Sequence, residues 1–397
     1  MKWEKVKLSE VTEYITDGDH QPAPKSDSGV LFVKIKDIQD NRLTFDNALF
    51  VPQEYYNRLP KNRKAEYGDT LYTVVGSYGI PAFVNHNIPF CFERNIALLH
   101  PNNRVIPKYL YYAVNNPIFY GNANNIANGS AQKLIPLSKL AGMEISVPPI
   151  ERQETIVNIL SAYDDLIENN QKQIKLLEEA AQRLYKEWFI DLRFPGHENV
   201  KIVDGVPEGW ERIVLSEVTS ILKRGISPKY SDNGKYSVIN QKCIRSSIMD
   251  ISESRRQEKE YVPTLNLQDS DTVICSTGTG TLGRVGRVYG DYPNTTFDSH
   301  VTLVRAKENP NYIYHVVKSQ QEYLMGMGRG STNQQELYRD VIERLVVLCP
   351  SQDILLKADR VLNAIHCKIK AVYLQNNLLV ESRDRLLPKL MSGELEM

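Results

Sequence analysis

The sequence predicts a mixed α/β protein built twice, with two pseudo-repeated globular domains and two long helices that pair as an antiparallel coiled coil. Three observations carry that prediction: an internal repeat at a nearly constant offset, matching short β-like runs in both halves, and two heptad stretches that close the halves.

The repeat opens on Trp3-Glu-Lys-Val-Lys-Leu-Ser-Glu-Val-Thr12, which recurs as Trp210-Glu-Arg-Ile-Val-Leu-Ser-Glu-Val-Thr219, an offset of 207. Asp69-Thr70 before an apolar run ending in Gly76 recurs as Asp271-Thr272 before Gly278. Asn95-Ile-Ala-Leu-Leu99 is echoed by His300-Val-Thr-Leu-Val304, Gly129-Ser130 by Gly330-Ser331, and Pro148 by Pro350. The offset drifts only from 207 to 201, so the halves differ by small loop insertions.

Within each half, apolar or alternating runs between turn residues predict strands at Leu31–Ile35, Thr70–Val75, Ile96–Leu99 and Met143–Val147. The second set is Tyr236–Ile239, Thr272–Cys275, Val301–Val304 and Arg344–Leu348. Helical patterns intervene at Pro107–Val114 and Asn311–Tyr323. The boundaries that follow are 1–148 and 195–349 for the globular domains, 149–194 for the central helix and 350–397 for the C-terminal helix.

The central helix carries apolar positions at steps of four and three: Ile156, Leu160, Tyr163, Ile167, Asn170, Ile174, Leu177, Ala181, Leu184 and Trp188. At an offset of 202 stand Ala358, Leu362, Ile365, Ile369, Val372, Asn376, Leu379, Arg383, Leu386 and Leu390. Sustained 4-3 spacing is the signature of a coiled coil. Parallel pairing would set Asn170 and Asn376 against aliphatics, at about 1–3 kcal/mol for each unpaired amide. The antiparallel register that joins residue i to 546 minus i instead matches Asn170 with Asn376, Trp188 with Ala358 and Tyr163 with Arg383. The last pair permits a cation–π contact. The sequence therefore predicts one intramolecular antiparallel pair, with Pro388 as a place where the second helix ends early or kinks.

Composition excludes several classes. The 397 residues are 42% apolar and 24% charged, and no apolar run approaches the ~20 residues of a membrane-spanning helix. Five scattered cysteines without a C-x-x-C read as reduced thiols of a cytoplasmic protein. Charge balances at 48 basic and 48 acidic residues, so a nucleic-acid role needs local basic clusters rather than a basic excess. Gly278-Thr-Gly-Thr-Leu-Gly283 matches a dinucleotide fingerprint, but Arg284-Val-Gly-Arg-Val-Tyr-Gly290 after it reads as strand and turn, where the fingerprint needs a helix. Asn116-Pro-Ile-Phe119 resembles an adenine-methyltransferase motif without its second proline, and reads as a helix ending before proline. The histidines lack metal-ligand spacing, and the chain reads as non-catalytic and metal-free.

With both repeats laid out, the chain closely resembles the specificity subunit of Type I restriction–modification systems. The likeness rests on the two module openings, the Asp-Thr strands with their Gly loops, and Val147-Pro-Pro-Ile-Glu-Arg-Gln153 leading into Leu184-Tyr-Lys-Glu-Trp-Phe-Ile-Asp-Leu-Arg-Phe-Pro-Gly196, matched by Leu386-Leu-Pro-Lys-Leu-Met-Ser-Gly393. One departure is Pro350-Ser-Gln-Asp353, which lacks the second proline. The resemblance implies that the globular modules are target-recognition domains, each reading one half of an asymmetric bipartite site in double-stranded DNA. It implies that the helices set the spacer and recruit two methyltransferase subunits. The chain itself would hold no cofactor: S-adenosylmethionine would belong to the methyltransferase subunits, and ATP and Mg to a restriction (translocase/endonuclease) subunit. Half-sites about one duplex turn (~34 Å) apart suit two modules related by a pseudo-twofold.

Candidate DNA-contacting residues are polar loop positions placed alike in both modules. In the first they are Asp17, His20, Gln21, Lys25, Lys34, Lys36, Ser77, Tyr78, Arg94, Asn95, Ser130, Gln132 and Lys133. In the second they are Lys223, Arg224, Lys229, Tyr230, Asn240, Gln241, Lys242, Thr279, Arg284, Arg287, His300, Ser331, Asn333 and Gln334. Arg pairs with guanine and Asn or Gln with adenine, whereas Lys favours phosphate.

Overall fold

The computed structural model describes residues 3–46, 48–127, 133–330 and 335–395. The chain forms two compact units, residues 1–168 with 376–397 and residues 169–375, so both units take in parts of the long helices.

In the first unit, the opening strand Glu4–Lys7 pairs antiparallel with Glu144–Val147. A single helical turn, Leu8–Val11, follows; Glu10 accepts the Lys7 backbone N–H at 3.0 Å, which explains the glutamate of the repeated Leu-Ser-Glu-Val. The chain then enters a four-stranded antiparallel sheet ordered Thr12–Asp17, Ile96–Pro101, Thr70–Thr73, Pro81–Phe83. A three-stranded sheet beside it has the order Leu49–Val51, Val30–Val33, Phe90–Phe92, the last pair parallel. The recurring Asp-Thr is structural: Asp69 is fully buried, accepts the Glu66 N–H at 2.7 Å and lies 2.6 Å from His100 Nδ1.

The second unit repeats the plan. Glu211–Val214 pairs with Val346–Cys349, and Glu217 accepts the Val214 N–H at 3.3 Å. The four-stranded sheet runs Thr219–Arg224, Val301–Ala306, Thr272–Cys275, Val285–Arg287. The smaller sheet runs Arg255–Gln257, Tyr236–Ile239, Thr295–Phe297, its last pair again parallel. Asp271 accepts the Gln268 N–H at 2.8 Å and holds Arg305 through two 2.7 Å bonds, where the first unit uses His100. Burial raises the carboxyl pKa of both aspartates, and the bonded His100 or Arg305 opposes that rise. The predicted helix Asn311–Tyr323 is two helices, Pro310–Ser319 and Gln321–Gly326. Asn116 caps the helix Pro117–Ile126, so its proline starts a helix as well as following one.

The long helices run Ile150–Tyr185 and Gln352–Ser392. Their antiparallel pairing is visible inside each unit. In the first, Ile156 and Leu160 share a core with Leu387, Leu390 and Met391, and Leu386 packs half-buried against it. In the second, buried Ala358 shares a core with Tyr185 and Phe189, with Trp188 against it, while Leu177 packs beside buried Ile369. Seam residues Ile167 and Val372 are buried as well. The module-opening tryptophans seat at helix ends. Trp210 packs on Phe194 with ring centroids 4.7 Å apart, and Trp3 lies about 3.0 Å from the Cβ position of Gly393, whose φ of +75° admits little but glycine.

Four seam expectations need correction. The amides find acceptors within their own units: Asn170 donates to Gln375 Oε1 at 3.1 Å and Asn376 to Ile167 O at 3.4 Å. Arg383 forms a 2.8 Å ion pair with Asp164 rather than a cation–π contact with Tyr163, because a carboxylate is within reach. At the helix ends the buried residues include Tyr185 and Phe189, one residue beyond Leu184 and Trp188, and Leu387 and Met391 beside the expected Leu390, which is buried as well. There each helix packs on its globular module; Tyr185 stands 5.9 Å from the Tyr312 ring. Finally, the helix runs through Pro388 to Ser392.

Candidate nucleic-acid interface

The polar loops of the first unit gather in a cleft of about 380 Å³. Asp17-Gly-Asp-His-Gln21 leaves the end of the strand Thr12–Asp17 and crosses the strand Phe90–Phe92 at Gly18, where a Cβ would lie 2.0 Å from Phe92 O. Only glycine fits so close an approach. Two residues that sequence reasoning missed tie this loop down: Arg63 Nη1 donates to Asp19 Oδ1 at 3.0 Å, and Tyr55 OH to Asp19 Oδ2 at 3.1 Å. Both lie over 35 residues away along the chain, so no local pattern announces them. Asp17 lies 3.0 Å from His20 Nε2 and 4.0 Å from Arg63, which makes it a support of the loop rather than a group offered to DNA.

His20, Gln21, Lys25, Lys34, Arg94 and Asn95 all line the cleft. Its acidic walls are already engaged: Asp19 as above, and Glu93 as acceptor of the Ile35 N–H at 2.8 Å. Among the described residues no ion pair uses Lys25, Lys34 or Arg94, so the cleft presents three free cations. Lys36 is exposed on the short turn beyond Lys34. Ser77, Tyr78 and Lys133 collect at a second place, around the Gly76–Gly79 turn. There Tyr78 OH donates to Asn124 Oδ1, and Lys133 Nζ reaches the same oxygen at 3.0 Å. Ser130 and Gln132 lie outside the described residues.

In the second unit, Gly225 repeats the glycine crossing, with Phe297 O and Asp298 O each 2.2 Å from its Cβ position. Lys223, Lys242 and Thr279 are exposed, and Arg284 is half-buried. Asn240–Lys242 meets the Gly278–Gly283 loop, since Thr281 Oγ1 lies 3.5 Å from Gln241 Oε1. His300 sits against the same loop, its Nδ1 2.5 Å from Thr277 Oγ1. Lys229 pairs with Glu258 at 3.0 Å, and the Arg255 guanidinium covers the Tyr230 ring at 3.6 Å. Beside that loop the strand Arg255–Gln257 therefore offers an arginine, Arg255, absent from the expected set. Ser331, Asn333 and Gln334 lie outside the described residues.

Three expected residues are engaged in the fold. Arg287 is 1% exposed: it donates to Asn311 Oδ1 at 2.6 Å beneath Tyr289 and Tyr314, so it cannot touch a ligand. Its alternating strand position points into the domain, whereas Arg284 lies in the loop before the strand Val285–Arg287. Asn240 is 9% exposed and caps the turn Gln241–Cys243 through the Lys242 N–H at 2.8 Å. Arg224 is bonded to Ser299 O and to Glu336. Among the described residues no cluster of three or more His, Cys, Asp or Glu could hold a metal, and no helix is long and apolar enough to cross a membrane.

The arrangement is one scaffold bearing two different polar faces. At corresponding positions stand Lys34 and Asn240, Arg94 and Ser299, Asn95 and His300, each pair set by the aligned strands of the smaller sheets. Comparison with known proteins agrees with this duplicated plan. The Type I restriction modification DNA specificity domain model matches residues 1–179 and again 207–354. The Type I restriction enzyme MjaIX specificity subunit of Methanocaldococcus jannaschii is 28% identical over 78% of this chain and 74% of its own length. The HindI specificity subunit of Haemophilus influenzae is 22% identical over 92% of this chain and 94% of its own. Among solved structures, the Type I restriction–modification S subunit from M. genitalium superposes with a TM-score of 0.58 at 17% identity, covering 100% of this chain and 96% of that one. A family model that matches both halves of a chain with two matching folds leaves one conclusion: the protein belongs to the Type I restriction–modification DNA specificity family.

Proposed function

We propose that this chain is the non-catalytic DNA-recognition subunit of a Type I restriction–modification complex, and that each globular module reads one half of an asymmetric bipartite target in double-stranded DNA. The observation that carries the reading is the duplicated frame with unlike residues at its matching loop positions. A shared frame fixes where each reader stands, and unlike side chains let the two read unlike bases. Lys25, Lys34 and Arg94 supply cations in the first module, and Lys223, Lys242, Arg255 and Arg284 in the second. Three or four cations a side is a modest phosphate grip. A neutral chain of this kind relies on partner subunits to complete the clamp.

Those partners are two methyltransferase subunits carrying S-adenosylmethionine, with a restriction subunit using ATP and Mg where cleavage occurs. Leu176 and Leu378, at equivalent places on the two helices and 65% and 64% exposed, support two like docking points for the methyltransferases. The test is anisotropy of the chain with its methyltransferase on target and scrambled duplexes. Arg94→Ala and Arg284→Ala should each cost about tenfold or more on the target, the worth of a lost base contact, and little on scrambled DNA. Equal affinity for both duplexes by the unaltered complex refutes the reading.

A further inference from the structure

The Gly76–Gly79 turn of the first unit holds an aromatic platform that the cleft does not use. The Tyr120 ring, on the helix Pro117–Ile126, sets its Cδ2–Cε2 edge against Gly79; a Cβ there would meet those two atoms at 2.6 Å. Gly79 also has φ of +84°, so glycine is required twice over. Tyr78 runs parallel to Tyr120, with ring centroids 6.1 Å apart and planes 13° from coplanar. Asn124 fixes Tyr78 through its hydroxyl and draws Lys133 to the same corner, with Lys133 Nζ 5.8 Å over the Tyr78 ring. Tyr120 is nevertheless 46% exposed. A large apolar ring held rigid by its neighbours, half open and edged by a cation, is built to receive a flat ring joined to an anion. A nucleotide has that chemistry.

Resting on the DNA-reading proposal, we infer that Tyr120, set in place by Gly79 and Tyr78, stacks on a base unstacked from the bound target while Lys133 meets the adjoining phosphate. The contact belongs to one half-site alone. In the second unit the corresponding turn is two residues longer, Gly278–Gly283, and the backbone of Leu324 and Met325 packs on Gly283 where Tyr120 packs on Gly79. Among the described residues no stacked ring pair stands there, so the inference is confined to the first module's half-site.

The experiment uses the full chain with its methyltransferase subunit and a target duplex, with Arg94→Ala as the cleft control. Tyr120→Ala and Tyr120→Leu should both weaken binding about tenfold, the worth of one base stacked on an aromatic, and Tyr120→Phe should stay within about twofold. Leu keeps apolar bulk on Gly79, which separates loss of the ring from loss of the fold. Lys133→Ala should lower the slope of log affinity against log salt by about 1. Tyr120→Leu binding like the unaltered chain while Arg94→Ala loses affinity overturns the platform and leaves the half-site reading standing. Loss of neither defeats both. Loss of methyltransferase co-purification in Tyr120→Ala makes this a protein-facing patch and also overturns the inference.

Discussion

The second unit holds a buried histidine pair whose effect on stability can be worked through. His315, on the helix Pro310–Ser319, places Nε2 3.0 Å from His366 Nε2 on the C-terminal helix, and Tyr289 OH lies 2.8 Å from His366 Nδ1. With both imidazoles neutral, one proton relay joins the three groups: either Tyr289 donates to His366 Nδ1 and His366 Nε2–H to His315 Nε2, or the whole relay runs the other way. Burial, aided by the charge of Arg287, pushes His315 down to about 3 and His366 to about 2. Lys318 adds to the effect on His315, and His315 itself to that on His366. Both stay neutral in the folded protein at any ordinary pH, while in the unfolded chain each titrates near 6.5. Protonation thus favours the unfolded state, and stability present above pH ~6.5 is lost as pH falls through that value. Between pH 7.5 and 5.5 the loss is about 1.4 kcal/mol per histidine, or about 2.8 kcal/mol together. Urea titrations at the two pH values, with hydrogen exchange of the helix Pro310–Ser319 as the local readout, measure it. The double variant His315→Gln/His366→Gln should lose about 2.8 kcal/mol less than the parent over this interval. All other titrating groups cancel in that difference. Equal losses in parent and variant would refute the neutral-pair account.

Other expectations follow from the same geometry. Arg287→Ala should destabilise the second unit by about 3–5 kcal/mol, measured by denaturant unfolding, because it empties a buried site and strands Asn311; intact stability with altered DNA preference would restore Arg287 as a reader. Gly18→Ala must push a methyl against Phe92 O, so it should cost about 2 kcal/mol or more and weaken first-module recognition. Asp164→Ala removes the acceptor of both Tyr112 OH at 2.6 Å and Arg383 at 2.8 Å; the expected loss is about 2–3 kcal/mol in the first unit, and a loss below ~0.5 would show the pair to be ornamental.

The joint between module and helix also shows how much the sequence disclosed. The repeat, the strands Tyr236–Ile239 and Thr272–Cys275 and the helix Pro107–Val114 were legible to the residue, since each is a local pattern bounded by turn formers. The paired helices were legible as two heptad runs and the match of Trp188 with Ala358 holds, whereas Arg383 bonds Asp164 and the two amides bond within their own units. What fills equivalent joints was not. Tyr112 on Asp164 in the first unit corresponds to His315 on His366 in the second, and neither pair is close in sequence. The same blindness hid the Arg63 clamp on Asp19 and the Tyr120 platform, which exist only once distant strands and helices meet. Arg287 was misread because a segment read as strand and turn does not say which face a basic residue takes; its inward position, set by the pairing of Val285–Arg287 with Thr272–Ile274, is a tertiary fact. Chemistry at loops is visible in sequence as residue type, but burial decides which of those residues are free.

The central claim is that one frame carries two independent readers, and methylome sequencing tests it most directly. A host expressing the chain with its methyltransferase gives a bipartite motif; Lys34, Arg94 and Asn95 are then replaced by the second module's Asn, Ser and His. The account predicts that one half of the methylated motif changes or is lost in specificity while the other half and the spacer length stay as they were. A motif that is unchanged, or one altered in both halves at once, would contradict it.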